Sequence, residues 1–241
     1  MSGSAKLVIT LVLTTLWAVP QTDAQAKRLW FPAFYESAES LAYTHGDALL
    51  QLARTALEAG AQGHELHRLP TVSTAAPFGI FVTVVKERKV RGCFGFMEPV
   101  GQSLEKMVAE AAYGAARLDV RHKPISPAEV GDMEIILSFV GPTQAVEHIS
   151  AVDPKTMGLL VRADVRSAVL LPGEARTARW QVAETRRKAN IAPHEPVHLF
   201  RFPTVTLYER DRPHLKQKAA QLSDPPDGSP VGIELNKGTH Q

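Results

Sequence analysis

The only cysteine of the 241-residue chain, Cys93, sits in Val90-Arg-Gly-Cys-Phe-Gly95. A thiol does chemistry as the thiolate, which a neighbouring cation favours and apolar burial opposes. On an extended strand, residues two apart share a face, so Arg91 and Cys93 are expected side by side, with Phe94 and Phe96 turned the other way. Gly92 and Gly95 leave the sulfur near bare backbone, where a ligand or another strand can approach closely. One reading makes Cys93 a nucleophile and Arg91 its electrostatic partner. The other makes Cys93 a small buried residue, Arg91 an ion-paired strand residue and the glycines the mark of a bulge.

Other candidate constellations are weaker. His122 is a possible base for the thiol, against a surface or packing role. His194-Glu-Pro-Val-His198 spells the H-E-x-x-H string of zinc peptidases, which works when a helix stacks both imidazoles on one face. Pro193 and Pro196 interrupt the segment, and a strand follows, so no metal site is expected there. His64-Glu-Leu-His67 has metal-like spacing without a third ligand. No phosphate-binding glycine loop or G-x-S-x-G elbow occurs, and no cofactor is expected.

The chain carries a net charge of only +2, with Lys and Arg dispersed, which argues against nucleic acid as partner. Lys6 precedes an apolar run from Leu7 to Pro20, followed by Ala24-Gln-Ala26. This pattern predicts a signal peptide over residues 1–26, cleaved after Ala24 or Ala26, and hence a periplasmic or extracellular protein that meets the membrane only in transit. The run of about 14 residues falls short of the ~20 a spanning helix needs. Removing Lys6 and Asp23 with the leader keeps the charge at +2. One cysteine precludes an intramolecular disulfide, so the fold rests on its apolar core.

The elements that must position Cys93 follow from periodicity. Residues 27–43, rich in aromatics, read as an irregular arm packed on a domain over 44–210. Leu49, Leu52, Ala53, Ala56 and Leu57 predict a helix over Asp47 to Ala59, stopped by Gly60. Gly79 to Lys86 and Val90 to Met97 predict a hairpin ending in the cysteine motif. A helix with an alanine stripe is expected from Ser103 to Arg117, a strand from Met133 to Val140, and a second hairpin from Gly158–Arg162 to Ser167–Leu171. Glu174 to Ala189 reads as a helix anchored by Trp180, and Val197 to Tyr208 as a strand interrupted at Pro203, at an edge or bulge. Residues 211–241 read as a disordered tail. Together these predict an α+β fold with a largely antiparallel sheet flanked by helices.

Val90-Arg-Gly-Cys-Phe-Gly95 resembles the Leu-Arg-Gly-Cys-Ile-Gly signature of the AMMECR domain family. Further segments agree in order: Gly46-Asp-Ala-Leu-Leu-Gln-Leu-Ala-Arg54 looks like the family's opening helix and Gly79-Ile-Phe-Val-Thr83 like the strand before the signature. Asp119-Val-Arg121-His-Lys-Pro124 is similar to its Asp-x-Arg-Phe-x-Pro, Leu171-Pro172 to its Leu-Pro, and Arg187-Lys-Ala189 to its Arg-Lys-Ala-Gly. The resemblance spans about residues 44–209. His122 stands where the family has Phe, Gly173 where it has the amide of Leu-Pro-Gln, and Asn190 where it has Gly. Glu174 substitutes for that amide only if the loop shifts.

The resemblance implies a two-lobed fold with the signature lining a cleft, but no particular reaction. It also implies Memo-like and radical SAM proteins as pathway partners. The expected site therefore comprises Cys93 and Arg91 as catalytic residues, with Gly92, Gly95, Asp119, Arg121 and Pro172 around a small-molecule ligand. Two functions stay open, a thiol-dependent enzyme and a non-catalytic module that binds a small molecule or a protein. A third leaves the cleft structural and gives function to the arm or the tail.

Overall fold

The structure is a computed structural model that describes residues 30–66 and 76–212. The expected signal peptide, His67 and nearly all of the expected tail lie outside the described residues. Helix α1 runs from Pro32 to Gln62, with Pro32 in its first turn and Gly63 closing it in the left-handed region at φ 74°. From Pro32 to Tyr43 the expected irregular arm is thus the first part of this helix. Phe34, Tyr35 and Ala38 continue the buried stripe of Leu49, Leu50, Ala53 and Leu57 at three-and-four spacing. Gly60 does not stop the helix but lets it touch its neighbour: a Cβ there would lie 2.9 Å from the Ala116 Cβ.

Strands β1 (Gly79–Lys86) and β2 (Lys89–Phe96) form the first hairpin, and helix α2 (Leu104–Arg117) follows, capped by Ser103 accepting from the Lys106 N–H. β3 (Glu134–Val140) pairs with β1, and β8 (Thr204–Tyr208) pairs with β3, completing a sheet of order β2-β1-β3-β8. All its pairs are antiparallel. Ile80, Val82, Val84, Ile135, Leu137 and Phe139 are fully buried in the main core with the apolar faces of α1 and α2. The alanine stripe of α2 packs on α1 as well as on β1 and β2.

A second antiparallel sheet has the order β4-β7-β5-β6, with β4 at Gln144–Val146, β5 at Gly158–Ala163, β6 at Arg166–Leu170 and β7 at His198–Phe202. Helix α3 (Ala178–Lys188) covers β5 and β6. Trp180 is not its anchor, being 49% exposed; Gln181 and Thr185 are buried instead. The Gln181 amide nitrogen donates to the Met157 carbonyl at 3.2 Å, while its amide oxygen is buried without a partner among the described residues. Val197 to Tyr208 is likewise not one strand with a bulge. Pro203 separates β7 and β8, which belong to different sheets. A smaller core of Val140, Leu160, Leu171 and Phe202, with Phe81, Met97, Val169 and Phe200 packed on it, joins the two sheets.

The fold is therefore α+β, with helices on two antiparallel sheets. One buried ion pair ties its ends: Arg54 Nε donates to Glu209 at 2.9 Å, its Nη1 to the Val130 carbonyl at 3.0 Å and its Nη2 to the Met133 carbonyl at 2.9 Å. The other Glu209 oxygen takes the second guanidinium contact and the Ile135 N–H. Every charge in this cluster is answered inside the protein.

Candidate functional site

Cys93 pairs with Thr83 across the first hairpin, and the Thr83 hydroxyl donates to its sulfur at 3.3 Å. Alternation along β2 is broken two residues earlier. Val85 pairs with Val90 and Val84 with Gly92, so Arg91 is the extra residue of a bulge. Its guanidinium donates to Glu129 at 3.1 and 3.2 Å and to the carbonyls of Lys123 and Pro124 at 2.8 and 3.3 Å. Arg91 is thereby committed to a clasp on the loop after α2 and is not the cation beside the thiol. Bonds from the Ser126 N–H, then from Arg91 and the Ser126 hydroxyl, hold the Glu129 carboxyl down at about 2.

The two signature glycines also act on packing. A Cβ on Gly92 would lie 2.2 Å from the Ala115 carbonyl oxygen, so β2 rests directly on the backbone of α2. A Cβ on Gly95 would lie 2.2 Å from the Ile80 carbonyl oxygen, against β1. Neither lines the hollow at the sulfur, and Pro172 does not line it either.

That hollow, of about 160 Å³, lies at the seam of the two sheets. Phe81 and Cys93 come from the first sheet and Val169 from the second, with Leu171 and Glu174 on the following loop, Lys188 at the end of α3, and Arg121 on the loop after α2. Of the seven expected site residues, Cys93 and Arg121 line it. Asp119 stands directly behind: its carboxylate accepts the Cys93 N–H at 2.9 Å and the Arg121 guanidinium at 2.8 and 2.7 Å. Burial opposes its ionisation, but those bonds prevail and hold the carboxyl below its usual range. Asp119 positions both the strand and the arginine.

Burial pushes the Cys93 thiol above its ordinary 9.0; the Thr83 hydrogen bond opposes this, Glu174 adds to it, and Arg121 and Lys188 oppose it from a distance. The expected low-pKa thiolate is therefore corrected: at neutral pH the resting group is the thiol, because desolvation outweighs two cations that do not touch it. His122 is not among the lining residues. His198 lies on β7 and Glu195 pairs with Arg166, so the H-E-x-x-H string has no helical geometry. Among the described residues no cluster of three metal-ligating side chains occurs.

Phe81, Val169 and Lys188 are lining residues that the sequence did not single out, and Glu174 was weighed only as a stand-in for the missing amide. Glu174 lines the hollow while its Oε2 accepts the Leu171 N–H at 3.0 Å, and Lys188 donates to the Val169 carbonyl at 2.9 Å. The signal for Glu174 was present in the missing amide at Gly173, whose φ of 85° and open surroundings leave the next residue to supply a polar group. Asn190 has φ 53°, so it holds the left-handed turn that the family gives to glycine.

The geometry agrees with what comparison shows. The AMMECR1 family model matches residues 50–207, and the chain belongs to that family. A Methanothermobacter thermautotrophicus protein is 30% identical over 187 residues, covering 70% of this chain and 96% of its own length. One from Methanopyrus kandleri is 31% identical over 183 residues, covering 70% and 87%. The crystal structure of an uncharacterised protein from Pyrococcus horikoshii superposes with a TM-score of 0.60 at 24% identity, covering 67% of this chain and 89% of that one, and shares the fold.

Proposed function

We propose that this AMMECR1-family domain binds a small organic anion at the seam hollow, with its charge against Arg121 and Lys188 and its apolar part against Phe81, Val169 and Leu171. The observation that carries the reading is the convergence of a sulfur, two cations and a carboxylate on one hollow built from both sheets. Its volume of about 160 Å³ is below the roughly 300 Å³ at which drug-sized ligands fit, so it suits a small metabolite or one end of a larger one. A guanidinium at a half-closed site recognises a carboxylate through charge-assisted bonds.

The single thiol supplies its own test. Iodoacetate and iodoacetamide alkylate the same sulfur and differ in charge. The native protein should favour iodoacetate, relative to iodoacetamide, by about tenfold over the unfolded chain, the effect of one charge-assisted contact. An identical ratio in native and unfolded protein would end the anion-pocket reading.

A second reading, a thiol-dependent enzyme, is favoured by the sulfur forming part of the hollow's wall. Cys93 then acts as nucleophile on the bound molecule, and Glu174 is the lining carboxylate that receives its proton. Cys93→Ser should retain binding and lose turnover; unchanged function in cells would leave a binding module. We also infer export, supported by Lys6, the apolar run to Pro20 and Ala24-Gln-Ala26. The first residue of the secreted protein, Gln25 or Lys27, tests it.

A further inference from the structure

A larger cavity of about 680 Å³, in the size range of ligand pockets, opens along a different face of α3. Arg179, Val182, Ala183 and Arg186 line it from one helical stripe at three-and-four spacing, and the loop from Asn190 to Glu195 with Arg166 of β6 closes it opposite. Its floor is apolar, made by Val182, Ala183, Ile191 and Pro193.

The charges around it do not cancel. Arg166 pairs with Glu195, and Arg187 pairs with Glu184 at 2.8 and 2.5 Å. Arg186 donates only to main-chain oxygens, those of Ala192 at 2.7 Å and Glu195 at 2.9 Å, so its charge has no carboxylate facing it. Arg179 is exposed, and its side chain makes no hydrogen bond or ion pair among the described residues. Seven positions of helix separate these two cations by about 10 Å along the axis, with Val182 and Ala183 between them. That spacing is too wide for one phosphate and fits two anionic groups joined by an apolar body.

We propose that this cavity is a second site, for an elongated organic dianion whose ends meet Arg179 and Arg186 and whose middle lies on Val182 and Ala183. The site does not depend on the seam hollow, since Lys188 turns to that hollow while the Arg179–Arg186 stripe faces this one.

Calorimetric titration of the full chain with azelate tests it, with nonanoate as the one-headed analogue and succinate as the short one. Azelate should bind about tenfold or more tightly than either, the effect of one charge-assisted contact. Arg179→Gln, at an exposed position with no structural bond to lose, should bring azelate to the nonanoate level. Ala183→Trp should abolish the azelate preference by filling the floor, and Cys93→Ser and Arg121→Gln should leave that preference intact. The proposal is overturned if azelate gives no saturable binding, if nonanoate equals it, if Arg179→Gln leaves the preference intact, or if Arg121→Gln removes it.

Discussion

Two polar clusters within one domain show how a buried charge is used in opposite ways. At Arg54 and Glu209, 6% and 1% exposed, each oxygen and each donor group of the pair has a partner inside the protein. At the Cys93 seam, Asp119 is saturated, but Arg121 and Lys188 reach an open hollow and the sulfur is held by one hydroxyl. The first arrangement joins α1 to the end of β8. The second keeps donors in reserve at a place where the sheets leave room. A charge answered from all sides fixes architecture; one answered from behind alone is available to a ligand.

Removing one side of the answered pair should therefore have the largest effect. Glu209→Ala leaves the Arg54 charge buried and unpaired, and the urea midpoint should report a loss of about 3–5 kcal/mol. Gly92→Ala comes next, because its Cβ would strike the Ala115 carbonyl at 2.2 Å. A loss of about 1–3 kcal/mol is expected in the same assay, as for other overpacked sites. A fully stable Gly92→Ala protein would mean that β2 and α2 are not in backbone contact.

The two arginines of the signature region separate the roles within one comparison. Arg91→Gln should lower stability by about 1–2 kcal/mol through its lost clasp on Glu129 and two carbonyls, with the iodoacetate preference of Cys93 unchanged. Arg121→Gln should cost about 1–2 kcal/mol, since it removes two bonds to the buried Asp119 carboxylate, and in addition remove most of that preference. If the two variants exchange these outcomes, Arg91 is the ligand-facing cation and the seam assignment fails.

Smallest and most local is the pH response. Because the folded Glu129 carboxyl is held down at about 2 from its usual 4.5, its contribution to stability is complete above pH 4.5 and is lost as pH falls toward 2. The Ser126 amide resonance should titrate near that lower value. The Cys93 shift has the opposite sense: its pKa is raised, so alkylation should keep accelerating above about pH 10–11, where a thiol of ordinary pKa has levelled off.

How much of this was readable in the residues depends on the range of the signal. β1, β2 and α2 follow local periodicity and lie within a residue of where the pattern puts them. The first half of α1 was legible too, since Phe34, Tyr35 and Ala38 keep step with the later stripe, but Pro32 and the aromatics resemble an irregular arm. Trp180 misled because a large aromatic usually finds the core, whereas here the buried positions belong to Gln181 and Thr185.

For the site, the motif located Cys93, Asp119 and Arg121, and a single bulge residue redirected Arg91. Strict alternation carries no information about that extra residue. Lys188 and Glu174 reach the hollow beside the sulfur from 95 and 81 positions further along, and only the meeting of two sheets brings them there.

Pro203, between β7 and β8, makes the first sheet wait for the end of the chain. During synthesis β3 is complete by Val140, yet its partner β8 emerges only at residues 204–208, after the whole second sheet. Until then β3 presents an unpaired edge, open to association with another nascent chain. A fragment ending before Thr204 should therefore aggregate rather than yield the N-terminal half on its own, and the two halves must be made as one piece.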